Sequence, residues 1–343
     1  MTNVRIQAPT GGEALAVVSA TPHIRSSRST RGIMLDVLLA LLPALAASVW
    51  YFGSRALILA LLSVVSCVAF EWVARRLMKR PQTVGDLSAA VTGLLLAFNL
   101  PATLPLWMAV LGAFVAIVVV KQLFGGIGQN FVNPAITARI VLTVSFATQM
   151  TAFHAPNRHS WGTDAVAQAT PMKLLSAQAP GKFSAEGLPR LLDMFLGNRG
   201  GSLGEGCAAA LLLGFAYLCA RKVITPLIPL CFVGTVAAAS FVAGGFSPLF
   251  LGYELLGGGL LLGACFMATD YATCPINWKG KVVFGIGCGL LTALIRLFGN
   301  MPEGVSFSIL LMNLLVPHIE ALTAPKPFGK EGKAHDKAKS RTR

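Results

Sequence analysis

Long apolar stretches alternate with short polar links from residue 33 to residue 323 of the chain. A membrane-spanning helix needs about 20 predominantly apolar residues, and ten stretches approach that template. They are residues 33–52, 56–74, 87–100, 104–120, 134–150, 205–220, 223–243, 249–268, 281–298 and 305–323. The pattern predicts an all-α polytopic membrane protein with about ten transmembrane helices. The third stretch is short and ends at Pro101, which is typical of a partial span buried within protein.

One long polar link divides the predicted helices into two groups of five. The order predicts a cytoplasmic N-terminal segment (1–32), a five-helix half (33–150), an outer loop (151–204), a second five-helix half (205–323) and a basic tail (324–343). Because five is an odd number, the two halves would lie in opposite orientations, as in an inverted repeat. We see no convincing sequence repeat between them, so this arrangement rests on topology alone.

Composition and charge agree with a membrane protein. Of 343 residues, 28 are Lys or Arg and 14 are Asp or Glu, which gives a net charge of +14. Charged residues make up 12% of the chain, about half the share in soluble proteins, and the mean hydropathy is +0.68. These values exclude a soluble enzyme, a disordered chain and a nucleic-acid-binding protein. Most Lys and Arg residues lie on the same side as the N-terminus, so the positive-inside rule places both termini in the cytoplasm.

Metal-binding patterns are absent from the sequence. The seven Cys residues occur singly, without CxxC spacing, and the five His residues are dispersed. Zinc sites and iron–sulfur clusters use closely spaced ligands, so we expect no metal site within this chain alone. Ionisable residues within the apolar stretches are also few, with Glu71, Arg139, Glu254 and Glu320 the main cases. Their scarcity argues against a self-contained ion relay.

A glycine-rich link precedes the fifth predicted helix. Gly125, Gly126 and Gly128 come shortly before Asn130 and Asn133. Glycine permits positive φ and close approach of the backbone to a ligand, and two amides three residues apart can hold a planar heterocycle or a polar head group. A simple turn between helices is the alternative. Asp270, at the end of the eighth predicted helix, could likewise cap a helix or line a site, and we favour capping.

Thr170 lies in the predicted outer loop, next to Pro171 and among small residues. A Thr-Pro pair in a loop is usually a turn or a helix cap. A loop hydroxyl can also be a point of covalent attachment, and small neighbours leave room for a modifying enzyme and a bulky adduct.

Several of these segments together resemble one known family. Residues 88–97, 121–135 and 168–171 resemble the D subunit of the Rnf electron-transport complex, and more distantly the B subunit of the sodium-translocating NADH:quinone reductase. The resemblance covers about residues 23–325 and includes residues 31–36 and 296–299. It implies a multi-pass subunit of an ion-translocating ferredoxin–NAD oxidoreductase in the bacterial inner membrane. Such a chain relays electrons coupled to H⁺ or Na⁺ movement, is active only with the other Rnf subunits, and binds no nucleic acid.

The resemblance also implies a covalent flavin. In this family a flavin transferase joins FMN through its phosphate to a threonine hydroxyl of the outer loop, here Thr170, which the topology places in the periplasm. The family pattern is Asp, two residues, Ser or Thr, one residue, Ala, Thr. Asp164, Ala169 and Thr170 match this pattern, whereas Ala167 occupies the Ser/Thr position and Ala165 stands where Gly is common.

The glycine-rich link gives a second flavin hypothesis. We expect Asn130 and Asn133, in the segment 126–133, to hold a non-covalent flavin such as riboflavin or to close an ion path. Two other functions remain open at this point. A solute channel or transporter also suits ten spans, and a cofactor-free scaffold would simply hold its partner subunits together.

Overall fold

A computed structural model describes residues 28–154, 156, 170–176, 184, 187–299 and 304–325. The regular elements among these residues are helices, apart from single bridges such as the pairing of Pro101 with Ser202. The residues of the attachment pattern before Thr170 lie outside the described residues, as do the first 27 residues and the basic tail after residue 325.

Helices occupy the positions that the apolar stretches predict. The first half contains α1 (Thr30–Phe52), α2 (Ser54–Leu77), α3 (Ser88–Phe98), α4 (Leu106–Phe114, continued by a π-helix at Val115–Gln122), α5 (Pro134–Ser145) and α6 (Ala147–Met150). The link to the second half contains α7 (Pro171–Ser176) and α8 (Leu191–Leu196). The second half contains α9 (Ala208–Ala220), α10 (Leu227–Ala243), α11 (Pro248–Leu256), α12 (Leu260–Leu262, continued by a π-helix at Gly263–Met267), α13 (Trp278–Phe298) and α14 (Val305–Thr323).

Helix lengths show that the chain is a polytopic membrane protein. Within the described residues, α1, α2, α13 and α14 are long and apolar enough to cross a membrane. Together α11 and α12 meet the same criterion as one span, bent by 61° between Leu256 and Leu260. The other five apolar helices have only 10–17 residues. Thus α3 has 11 residues and is about 16 Å long. It ends before the buried residues Asn99 and Leu100, as expected for a partial span that stops at Pro101.

The helix ends form two opposite faces. Arg28, just before α1, donates to the carbonyls of Arg221 and Lys222, after α9; we call this end the lower face. Arg55, at the start of α2, donates to the carbonyl of Ala102, after α3, and this end is the upper face. The lower face also carries residues 121–133 and 270–278, and the upper face carries residues 147–154, 170–176 and 187–206.

The end of the predicted outer loop is buried within the helical body. Leu203 donates its N–H to the carbonyl of Leu100 at 3.0 Å, and its own carbonyl accepts from the Ser48 hydroxyl at 2.7 Å. Leu203 and Glu205 are almost fully buried. The segment returns into the helical body because α3 is short and leaves a space above it. Gly204 fits there without a side chain, since a Cβ would lie 2.4 Å from Phe98.

Small residues let the helices pack closely. A Cβ on Gly93 of α3 would lie 2.7 Å from the Val64 Cα of α2. A Cβ on Gly214 of α9 would lie 2.1 Å from the Ala40 carbonyl oxygen of α1. Close backbone contact of this kind is typical of helix association in membranes, where small residues line the interfaces.

We predict that Gly93→Ala lowers stability by about 1–3 kcal/mol, because the added methyl group meets backbone atoms that cannot move aside. The matched control is Gly234→Ala in α10, where no atom lies within 4 Å of the added Cβ. There alanine should be neutral, or stabilising by up to about 1 kcal/mol. Thermal unfolding of the two detergent-solubilised variants measures the difference, and equal melting temperatures would contradict the packing argument.

Candidate functional site

A cavity opens near the lower face between the two halves of the chain. Its volume is ≈ 800 Å³, including the part open to solvent. The walls come from α1, α3, the link 123–133, the end of α9 and the residues after α12. The polar lining residues are Ser88, Thr92, Lys121, Asn130, Asn133, Thr269, Asp270 and Tyr271, and the apolar ones include Met34, Val91, Leu95 and Phe266.

Both predicted amides reach this cavity. Asn133 caps α5: its Oδ1 accepts from the N–H groups of Ala135 and Ile136, at 3.0 and 3.3 Å. Its Nδ2 donates to the carbonyl of Met267 at 3.2 Å, which ties the link to the end of the bent span. The Nδ2 of Asn130 donates to the carbonyl of Val132 at 3.2 Å. The asparagines therefore shape the turn between the helices and also line a cavity, and ligand binding by them stays a prediction.

A buried ion pair supports the wall beside α3. Lys121 Nζ lies 3.0 Å from Glu71 Oε2 and donates to the Ser88 hydroxyl at 2.6 Å. Glu71, which is 0% exposed, also accepts from Gln122 at 3.0 Å and Thr83 at 2.7 Å. A buried carboxylate is tolerated when it is paired and hydrogen-bonded, and Glu71 meets both conditions. The pair thus fixes one positive charge at the cavity wall.

Asp270 lies on the opposite wall of the cavity, just after the bent span. Its Oδ2 accepts from the Thr273 hydroxyl at 3.2 Å, so it caps the turn that follows and also lines the cavity. Burial raises the pKa of Asp270, and the hydrogen bond from Thr273 opposes that shift. The cavity therefore has a cation on one wall and a carboxyl with reduced acidity on the other.

Thr170 lies near the upper face, away from the asparagines. It immediately precedes α7, and its Oγ1 accepts from the N–H of Lys173 at 3.3 Å. Thr170 is only 7% exposed. Met172 and Leu175 of α7 form a small apolar cluster with Met194 of α8 and Tyr253 of α11. The hydroxyl is thus the cap of a short helix that is anchored to the bent span.

The break in the bent span is held by buried charges. Arg296 of α13 donates to the carbonyls of Gly257 and Gly258, at 3.1 and 2.7 Å, and to Glu254 Oε2 at 3.0 Å. These contacts satisfy carbonyl groups that the end of α11 leaves without helical partners. A basic side chain is also favourable at the negative end of a helix dipole.

A second set of buried polar and charged side chains lies beside the break. Arg139 of α5 contacts Asn99 Oδ1 at 2.8 Å and Glu205 Oε1 at 3.5 Å. The Glu205 carboxylate lies against Gly259, where a Cβ would be 2.8 Å from its oxygen. Arg199 donates to the carbonyls of Glu205 and Leu256, at 2.8 and 2.7 Å. Carboxylate, amide and guanidinium groups therefore surround the break.

Comparison with known proteins identifies the family of the chain. A family model described as "NQR2, RnfD, RnfE family" matches residues 17–329. The chain belongs to the NQR2, RnfD and RnfE family. The D subunit of the Na⁺-translocating ferredoxin:NAD⁺ oxidoreductase complex of Acetobacterium woodii is 46% identical, over 92% of this chain and 98% of the relative.

Two other relatives are also similar to this chain over most of its length. The D subunit of the proton-translocating ferredoxin:NAD⁺ oxidoreductase complex of Clostridium ljungdahlii is 41% identical, over 91% of this chain and 96% of the relative. The D subunit of the ion-translocating oxidoreductase complex of Escherichia coli K12 is 35% identical, over 91% and 98%. The resemblance seen in the sequence is confirmed, and the likeness to this family extends over nearly the full chain.

Sequence reasoning did not predict how the buried charged residues pair. Lys121 and Glu71 are each visible in the sequence, but only the fold joins them, because they are 50 positions apart. Glu205 and Arg199 lie in or beside the predicted outer loop, yet both are buried. The sequence does contain a signal for Lys121. It ends a long apolar segment, and a lysine in such a position needs a partner for its charge.

We predict that Glu71→Ala lowers stability by about 3–5 kcal/mol, because it leaves the Lys121 charge buried without its partner. The matched control is Asp36→Ala, which removes a carboxylate from Arg221 in a pair where the arginine side chain is 59% exposed. A surface pair of that kind contributes up to about 1 kcal/mol. Melting temperatures in detergent compare the two variants, and the replacement of both Glu71 and Lys121 by Met should recover part of the loss.

Proposed function

We propose that the chain is the D subunit of an Rnf-type ion-translocating ferredoxin:NAD⁺ oxidoreductase complex and that it relays electrons within that complex. The likeness to the Acetobacterium woodii protein, 46% over 92% of the chain, carries this proposal. The chain acts only with the other subunits, because electrons must be delivered to it and taken from it. The relatives include sodium- and proton-translocating complexes, so the proposal covers either ion.

Thr170 is the residue that would carry FMN, as a phosphoester. Its Oγ1 accepts a hydrogen bond from Lys173, and no bond donated by its hydroxyl occurs among the described residues. Replacement of the hydroxyl hydrogen by phosphorus therefore breaks no donated bond. The hydroxyl is thus suited to ester formation, and α7 holds the attachment point against the bent span. Bound there, the flavin supplies one- and two-electron redox chemistry that the amino acids of this chain do not provide.

The lower cavity is the site for a second, non-covalent flavin such as riboflavin. Val91, Leu95 and Phe266 offer apolar walls to an isoalloxazine ring, and Asn130 offers a polar edge. Lys121 holds a positive charge at the wall, and its pairing with Glu71 keeps the ammonium in one position. Asn133 acts mainly by holding the link against Met267.

The ten apolar segments would all cross or enter the inner membrane, with the lower face in the cytoplasm and Thr170 on the periplasmic side. The basic residues of the lower face, such as Arg76, Lys79 and Arg80, support this orientation. A flavin transferase in the periplasm would then reach Thr170, and the other Rnf subunits would contact the lipid-facing and terminal surfaces.

Short sequence matches, aligned by the fold, support two inverted halves. Gly93 and Gly259 are each followed by three leucines, in the third span of each half. Residues 102–105 (Ala-Thr-Leu-Pro) precede α4, and residues 272–275 (Ala-Thr-Cys-Pro) precede α13. Leu-Phe-Gly lies at the end of the fourth span of both halves, at 123–125 and 297–299. The matches occur in the same order relative to the helices, although they are too short to be evident in the sequence alone.

We predict that Thr170→Ala abolishes covalent flavin, whereas Thr170→Ser retains it because the hydroxyl remains. Each full chain is co-expressed with a flavin transferase, and in-gel ultraviolet fluorescence after denaturing electrophoresis measures attached flavin. A fluorescent wild-type band that is lost in Thr170→Ala and kept in Thr170→Ser is the expected result. A wild-type band without fluorescence would contradict the proposal and favour a cofactor-free scaffold or a channel.

We also predict that the pair Asn130→Ala and Asn133→Ala lowers the non-covalent flavin content, because the link loses its contact with Met267 and the cavity loses a polar edge. Flavin released by denaturation of the purified complex is measured separately from the covalent band. Asn198→Ala, at an exposed asparagine near the upper face, is the control. Unchanged flavin content together with unchanged electron transfer would refute the second site.

A further inference from the structure

Three basic residues lie where α2 ends at the lower face. Arg76, Lys79 and Arg80 fall within about one helical turn of sequence, and all three are exposed. The Arg76 guanidinium carbon lies 5.7 Å from the ring centre of Trp72, and Arg80 Nη1 donates to the carbonyl of Gln122 at 3.4 Å. Neither contact brings a negative charge. We call Arg76, Lys79 and Arg80 the basic cluster.

None of the described carboxylates pairs with the basic cluster. Those of the lower face contact other groups: Arg221 and Tyr217 for Asp36, Lys121 for Glu71, Ser88 for Asp86, Thr273 for Asp270 and the N–H of Ile276 for Glu320. The other described carboxylates, Asp193, Glu205 and Glu254, lie at the upper face or beside the break. Within the part of the chain that the structure describes, the basic cluster therefore presents three positive charges without an acidic partner.

An exposed apolar surface adjoins these charges. It consists of Leu77 at the end of α2 and of Leu123, Phe124, Ile127 and Phe131 in the link, all of them exposed. The rings of Phe124 and Phe131 pack edge to face with their centres 4.7 Å apart. We call these five residues the apolar patch. A contiguous apolar surface rimmed by polar groups is typical of a site for a partner or a membrane lipid.

The link is held against the end of α2, so the basic cluster and the apolar patch form one surface. Arg80 bonds to the carbonyl of Gln122, the residue before the first member of the patch. The guanidinium of the buried Arg75 occupies the place where a Cβ of Gly126 would lie, and Gly126 has a φ of 108°. Arg75 also donates to the carbonyl of Pro81 at 3.0 Å, which fixes its side chain between the two segments.

We propose that the basic cluster and the apolar patch bind an anionic phospholipid of the leaflet at the lower face. Its phosphodiester contacts the cluster, and an acyl chain lies along the patch. Helix α2 is long and apolar enough to cross the membrane, and its exposed Trp72 and Val73 continue the patch toward the lipid-facing surface. Tryptophan is enriched at membrane interfaces, and basic residues beside a span attract anionic head groups.

A phospholipid matches both halves of the surface. A soluble anion would leave the apolar patch in water, and a neutral lipid would leave the basic cluster without a counter-charge. Ile127 belongs to the patch and also lines the lower cavity, so the bound lipid braces a wall of that cavity. The proposal is independent of either flavin, and an acidic segment of another subunit is the alternative occupant that the test must distinguish.

The experiment is native mass spectrometry of the full chain in detergent, with dioleoyl phosphatidylglycerol or dioleoyl phosphatidylcholine added at equal concentration. The two lipids share their acyl chains and differ in head-group charge. The wild type should retain more phosphatidylglycerol. The combined variant Arg76→Gln, Lys79→Gln and Arg80→Gln should bind phosphatidylglycerol about a hundredfold more weakly, because each basic residue near an anionic head group contributes about fivefold. Its binding of phosphatidylcholine should not change.

The control variant combines Arg31→Gln, Lys222→Gln and Lys279→Gln. It removes the same charge from other exposed positions of the lower face and should keep the preference for phosphatidylglycerol. Phe124→Ser combined with Phe131→Ser should lower the retention of both lipids, because it removes apolar contact area. Glycerol phosphate, which has a charged phosphate ester but no acyl chain, should not displace the bound lipid.

Equal retention of phosphatidylglycerol by the wild type and the cluster variant, or an equal loss in the control variant, would overturn the proposal. Displacement by glycerol phosphate at the same concentration would assign the cluster to a soluble phosphate ester instead. In membranes that contain the complex, a photoreactive benzoylphenylalanine in place of Phe124 should cross-link to lipid and add a lipid-sized mass. A cross-link to another subunit would assign the surface to a protein contact and refute lipid binding there.

Discussion

Every backbone carbonyl and N–H within a membrane needs a partner, and the bent span between α11 and α12 meets that requirement with side chains. An interrupted helix leaves polar groups in a region without water, where each unsatisfied group costs several kcal/mol. Arg296 donates to Gly257 and Gly258 and pairs with Glu254, while Arg199 donates to Leu256. These bonds fix the bend, which in turn directs the residues after Met267 toward the lower cavity and supports α7 above it.

The first half of the chain uses a related arrangement near the opposite face. There the 3₁₀ turn at Val84–Asp86 and the left-handed Leu87 precede α3, and Lys121 comes from the end of the fourth span, as Arg296 does in the second half. Lys121 reaches Ser88 at the start of α3 and pairs with Glu71. In each half, therefore, a basic residue late in the fourth span is held beside the start or the break of the third span.

The sequence predicted the helical architecture better than the sites. Apolar length and the positions of Gly, Pro and basic residues were enough to locate the ten segments, because those signals are local. The pairs Glu71–Lys121 and Arg139–Glu205 were not predictable, since 50 and 66 positions separate their members and only packing joins them. The return of Leu203 and Glu205 into the helical body was also missed, because it depends on the short length of α3 and on Gly204 fitting against Phe98.

The positions of the two candidate sites constrain how such a chain can work. Thr170 and the Asn130–Asn133 link lie near opposite faces, and the bent span contacts both, through Gly257 near Thr170 and through Met267 near the link. The layer between them holds Arg139, Glu205 and Asn99, joined by the contacts of the Arg139 side chain. The residues that stabilise the break against the membrane interior therefore also fix the relative positions of the two candidate sites, because the bent span contacts both.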